Sequence, residues 1–114
     1  VHNEGNTYFT GQYYIFSEVL DEVDTPYAVA FDPVSNGKTL HMGGRGEIDV
    51  TGGPSSSITA VGVYPNAAVD NTRVFIEDGL KIAITRDANS ASQNIGVLVS
   101  FSSVSNGYDD VYIG

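Results

Sequence analysis

Fourteen acidic side chains, two histidines and several clustered serines are the groups in this 114-residue chain with chemistry to offer. Nucleophilic catalysis needs a Ser, Thr or Cys beside a positioned base. The serines gather in loop-like stretches such as Ser55, Ser56 and Ser57. His2 lies in a polar N-terminal stretch, and His41 lies in an extended run between Leu40 and Met42. No Gly-x-Ser-x-Gly elbow is present. Paired carboxylates would serve glycosidic cleavage if placed across a cleft. Asp109 and Asp110 are adjacent, so in a strand they point to opposite faces. Glu47 and Asp49 share one face of a short strand, where a solvated acidic surface is the simpler reading. The sequence therefore predicts that the chain is not an enzyme.

Calcium takes several oxygen ligands from carboxylates, carbonyls and water. Two stretches are rich in such oxygens: Asp21, Glu22 and Asp24, and Asn106, Asp109 and Asp110. Neither has the spaced ladder of an EF-hand loop, so the expectation is no cofactor, with Ca2+ as the one candidate ion. Gly43-Gly44-Arg45-Gly46 is glycine-rich but lacks the Gly-Lys-Ser/Thr end of a phosphate loop, and no helical pattern follows it. It reads as a strand connection, with Arg45 available for an inter-subunit salt bridge.

The aromatic residues are more informative. Tyr8, Phe9, Tyr13, Tyr14 and Phe16 crowd together near the N-terminus. Tyrosine combines a large apolar body with a polar tip, which suits interfaces. These five are the predicted interface residues.

The elements that would position these groups are β-strands. The chain is 41% hydrophobic and 17% charged, with 13 glycines, and it is rich in the β-branched and aromatic types that fit a pleated surface. Thr7 to Leu20 reads as a long strand with Tyr14 and Phe16 on one face and Tyr13, Ile15 and Val19 on the other. A short helix over Phe16 to Val23 is the rival reading. Tyr27 to Phe31, Lys38 to Met42, Glu47 to Thr51 and Ser57 to Tyr64 alternate with a period of two, the last ended by Pro65. Asn36-Gly37 is a turn dipeptide. Arg73 to Glu77 and Leu80 to Thr85 flank Asp78-Gly79, a β-hairpin signal. Asn94 to Phe101 and Tyr108 to Ile113 flank Asn106-Gly107 and read as a central strand, a tight turn and a closing strand. No repeat at a fixed period is evident. The prediction is an all-β fold: a single antiparallel β-sandwich, jelly-roll-like, of eight or nine short strands with little helix. One domain spans residues 1–114, with an N-terminal arm over about residues 1–6.

Charge excludes some partners. The net charge is −9, with 14 acidic residues against 5 basic. Nucleic-acid binding needs a positive stripe that displaces counterions, and Lys38, Arg45, Arg73, Lys81 and Arg86 do not assemble one. An anionic membrane surface is excluded for the same reason, and no apolar run approaches the ~20 residues of a membrane helix. There is no cysteine, hence no disulfide framework. Small domains without such staples commonly gain stability by oligomerising. The chain carries no signal-peptide pattern, and its start at Val1 leads to the expectation that an initiator Met or a longer leader has been removed.

The opening Val-His-Asn-Glu-Gly-Asn-Thr-Tyr-Phe, with later strands such as Ile58 to Tyr64, resembles the small β-rich head-decoration and accessory virion proteins of tailed bacteriophages. The resemblance implies a non-enzymatic structural protein that binds a capsid shell as an oligomer, in a virion or extracellular setting. A close variant is a secreted filament subunit that donates Thr7 to Leu20 as a strand to its neighbour. The ending Asn-Gly-Tyr-Asp-Asp-Val-Tyr-Ile-Gly resembles the terminal strands of calcium-dependent β-sandwich lectins, which implies a calcium-dependent carbohydrate-binding module as the alternative. The expected partners are further copies of the chain, or a capsid or filament lattice.

Overall fold

In the computed structural model, residues 1–19, 27–52, 59–85, 93–102 and 109–114 are described. Their strands, in chain order, are β1 (His2–Asn3), β2 (Thr7–Phe9), β3 (Gln12–Val19), β4 (Tyr27–Phe31), β5 (Thr39–Met42), β6 (Arg45–Gly52), β7 (Thr59–Ala67), β8 (Arg73–Ile76), β9 (Leu80–Thr85), β10 (Gln93–Val97), β11 (Ser100–Phe101) and β12 (Asp110–Ile113).

Pairing among these strands is parallel throughout. One sheet runs β1-β4-β7-β10, with β11 also on β7. A second runs β12-β8-β5-β2, and a third β3-β6-β9. Apart from β10 and β11, which both pair with β7, consecutive strands thus belong to different sheets, and each sheet is built from every third strand or so. The chain winds as a three-faced parallel β-helix, and each coil lies in register on the one before. Gln12 faces Arg45, Gly46 faces Leu80, and Gln93 faces Thr59. The coil repeat is therefore 33 residues at the first of these pairs and 34 at the other two.

This overturns the antiparallel sandwich. Inward and outward side chains alternate with a period of two in either arrangement, so alternation located most strands but not their partners. The Asp78-Gly79 hairpin is also corrected. β8 pairs with β5 and β12, whereas β9 pairs with β6, so Asp78-Gly79 is a corner between two sheets. The N-terminal stretch read as an arm contains β1, which pairs with β4. Pro65 does not end a strand; β7 continues to Ala67. Pro65 stands opposite Phe31 and is buried. Proline lacks the N–H a ladder needs, and the pairing of the fourth coil with β7 is split here into β10 and β11. The helix read over Phe16 to Val23 is strand over its described part, in β3. The Asn106-Gly107 turn lies outside the described residues.

The corners explain why the chain bends without reversing. Gly11 (φ 73°) and Gly44 (φ 69°) occupy the left-handed region at successive corners between the second and third faces. The Arg45 N–H donates to the Gly11 carbonyl at 2.7 Å. A Cβ on Gly44 would collide with the backbone of Gly11, and one on Gly79 would collide with the carbonyl of Gly44. The three glycines form a column in which each coil touches the next through bare backbone. At the corner between the first and second faces, Gly37 N–H donates to Asp70 O at 3.0 Å, and Asp70 N–H donates to Asn36 Oδ1 at 2.9 Å.

Inward side chains from all three faces fill the coil interior. Val29, Phe31, Leu40, Met42, Ile48, Val50, Val63 and Val74 are fully buried or nearly so. Each large one contributes roughly 1.5–3 kcal/mol on burial. A single coil cannot enclose these residues; the coils above and below complete the enclosure, which makes stacking the source of stability. The outer surface is left to carry function.

Candidate functional site

The five predicted interface residues do not form one patch. β2 and β3 alternate, so Phe9 and Tyr13 turn inward and pack against the core, with ring centroids 5.2 Å apart. The Tyr13 ring lies over Gly46 of the next coil, where a Cβ would strike it. The Tyr13 hydroxyl is buried without a hydrogen-bond partner among the described residues, and burial raises its pKa. Tyr8, Tyr14 and Phe16 point outward and are 61%, 59% and 55% exposed. Tyr8 lies on the second face, Tyr14 and Phe16 on the third. The Tyr14 hydroxyl donates to Asp49 Oδ2 at 2.7 Å, which raises its pKa because the neutral phenol is the form that donates.

The second face carries a row of rings running coil to coil. Tyr8 faces His41, His41 faces Phe75, and Phe75 faces Tyr112. Tyr8 and His41 meet edge to face at 6.2 Å, and His41 and Phe75 at 5.8 Å. His41 Nε2 lies 2.9 Å from Glu77 Oε1, and the Arg73 guanidinium sits 5.1 Å above the Phe75 ring. Arg73 also approaches Asp110 at 3.9 Å. These contacts are at the surface and fix the orientation of the row more than they stabilise the fold.

The first face carries a groove of about 480 Å³ lined by Val1, His2, Tyr27, Ala30, Asp32, Tyr64 and Asn66. In register, His2, Ala30 and Tyr64 stand side by side on three coils. The small Ala30 between two rings makes the depression. Tyr27 and Tyr64 are stacked, with centroids 4.5 Å apart and planes 17° from parallel. His2 Nε2 is 3.9 Å from Asp32 Oδ2.

The other sequence candidates fall in separate places. Glu47 and Asp49 do share the outward side of β6, but Glu47 approaches Lys81 at 3.6 Å and Asp49 accepts from Tyr14. His2 and His41 lie on different faces, on β1 and β5. Asp109 Oδ1 accepts from the Thr72 N–H at 2.9 Å, and Asp110 turns toward Arg73. Among the described residues no three His, Cys, Asp or Glu side chains are grouped to hold a metal ion. Asp21, Glu22, Asp24, Asn106 and Ser55 to Ser57 lie outside the described residues. Among the described residues no helix is long and apolar enough to cross a membrane.

Sequence reasoning missed the ring row and the Tyr27–Tyr64 stack. The available signal was spacing: Tyr8, His41, Phe75 and Tyr112 recur at the coil period, which the register sets at 33, 34 and 37 residues. No protein-family model, curated protein or solved structure matches the chain.

Proposed function

We propose that this chain is a non-enzymatic structural module, a stiff segment of a virion-associated or extracellular assembly that contacts further copies of itself. One observation carries the reading. Tyr8, Tyr14 and Phe16 are more than half exposed, yet their neighbours Phe9, Tyr13 and Ile15 are packed against the core. Large amphipathic rings held on a rigid backbone lose little entropy on contact, which favours association. Along its whole length β3 pairs with β6 of its own chain, so the contact uses outward side chains rather than donation of the strand. The acidic surface keeps unassembled chains apart except where such patches meet. A capsid or filament lattice would be engaged through the same residues.

The test is sedimentation velocity over a wide concentration range, comparing wild type with the Tyr8→Ser, Tyr14→Ser, Phe16→Ser triple variant. Wild type should form a concentration-dependent oligomer, and the triple variant should remain monomeric with unchanged far-UV circular dichroism. A monomeric wild type, or a triple variant that assembles like wild type, overturns the reading.

A further inference from the structure

We propose that the groove on the first face binds a neutral sugar ring, a hexose unit of a glycan, and does so without a metal ion. This site is separate from the residues assigned above to self-assembly and does not depend on that assignment.

Shape comes first. The groove exists because Ala30 stands in register between His2 and Tyr64. Its neighbours along the strand, Val29 and Phe31, are fully buried and anchor the backbone. The floor of the depression is therefore sheet, with Val1 and Asp32 just outside the strands β1 and β4. Its volume, about 480 Å³, falls within the ordinary range of small-molecule sites.

Chemistry then selects the ligand. Tyr64 and Tyr27 form a stacked aromatic wall. The face of such a ring is negative and attracts weakly positive C–H groups, and a pyranose presents a flat array of them. Tyr64 and Asn66 are successive outward positions on β7, Asp32 follows the end of β4 at Phe31, and all three line the groove. A carboxylate accepts hydrogen bonds from hydroxyl groups, and a carboxamide both donates and accepts. His2 also lines the groove and adds an imidazole beside Asp32, at 3.9 Å from its Oδ2. An aromatic wall on one side and hydrogen-bonding groups at the rim match the two-sided character of a sugar: apolar across the ring, polar around its edge. Anionic sugars are disfavoured by Asp32 and by the net charge of −9.

The experiment titrates the intact chain by isothermal calorimetry in EDTA with four neutral oligosaccharides: cellotetraose, laminaritetraose, maltotetraose and chitotetraose. Tetramethylammonium is the control for a cation pocket. At least one oligosaccharide should bind. Ala30→Tyr should abolish that binding while leaving circular dichroism and oligomeric state unchanged, because the new ring fills the groove from outside the core. Asp32→Asn should weaken it about tenfold, the scale of one hydrogen bond to a charged group, and Tyr64→Ala should weaken it at least as much. The Tyr8, Tyr14, Phe16 triple variant should bind as wild type does, so failure of the assembly reading and failure of this one are distinguishable. Absence of binding by all four sugars, binding that survives Ala30→Tyr, or binding of tetramethylammonium alone overturns the proposal.

Discussion

Gly44→Ala tests the coil-on-coil geometry directly when it is paired with Gly37→Ala. Both glycines hold positive φ, at 69° and 75°. An L-residue in that region costs about 1–2 kcal/mol, so both variants carry this penalty. They differ in what surrounds the new methyl group. Nothing lies within 4 Å of a Cβ on Gly37, whereas a Cβ on Gly44 meets the nitrogen and carbonyl of Gly11 in the preceding coil. Relieving that overlap pushes two coils apart and strains the Arg45 N–H to Gly11 O bond of 2.7 Å. Overpacking of this kind costs about 1–3 kcal/mol. The expected losses are thus about 1–2 kcal/mol for Gly37→Ala and roughly 2–5 kcal/mol for Gly44→Ala. Against a typical total of about 5–15 kcal/mol, the second is severe. Urea unfolding followed by circular dichroism reads the difference. With a slope of about 2 kcal/mol/M, the two midpoints should separate by on the order of 1 M. Equal losses for the two variants would mean that the corners do not stack as described. Gly79→Ala should resemble Gly44→Ala through its approach to the Gly44 carbonyl; Gly79 is not among the positive-φ residues, so crowding rather than backbone conformation is the cause.

Other perturbations follow from single contacts. Ile48→Ala, in the middle strand of the third face and fully buried, should cost about 2–5 kcal/mol in urea unfolding; Phe16→Ala, outward on the same face, should cost far less in the monomer. Asp49→Asn removes the largest cause of the raised Tyr14 pKa, so spectrophotometric titration should show one tyrosine ionising closer to its ordinary value of 10.0. The sign for stability follows from the raised folded value: the Tyr14 contribution is complete below the unfolded pKa and is lost as pH rises through the folded one. Wild type should therefore lose more stability than Tyr14→Phe across the alkaline range. Glu77→Gln removes a carboxylate from a half-exposed His41 contact, and its effect on unfolding should stay within about 1 kcal/mol.

Much of the local structure was legible before any coordinates. Tyr27 to Phe31, Lys38 to Met42 and Leu80 to Thr85 alternate as strands should, and strands are found at Tyr27–Phe31, Thr39–Met42 and Leu80–Thr85. The split of Tyr14 and Phe16 from Tyr13 and Ile15 was also legible, because side chains in a strand must point to opposite sides. Partners were not legible. Period-two alternation is common to parallel and antiparallel strands, and turn dipeptides serve sheet corners as readily as hairpins: Gly37 takes positive φ at one corner, and Asp78-Gly79 turns another without it. The repeat escaped notice because its units share only a few scattered positions, the rings Tyr8, His41, Phe75 and Tyr112 and the corner glycines Gly11, Gly44 and Gly79, and the spacing between them varies from coil to coil. The Tyr27–Tyr64 stack joins residues on adjacent coils, which no local window brings together.

The same geometry explains why the outer surface divides into separate sites. Each of the first three coils contributes one strand to each face, so a property repeated at the coil period becomes a stripe on one side only. Rings at the outward positions of β2, β5, β8 and β12 stay on the second face. A small residue on β4, between rings from β1 and β7, makes a depression on the first. Inward residues such as Leu40 and Val74 support both without touching either stripe's outer side. Substituting outward residues can therefore alter one face at a time while the stacked interior holds. On the readings proposed above, loss of assembly through Tyr8, Tyr14 and Phe16 and loss of sugar binding through Ala30 should be independent. A variant at Ala30 that changed oligomeric state would show that the first face is not mechanically separate from the second and third, and the division of labour proposed for them would fail.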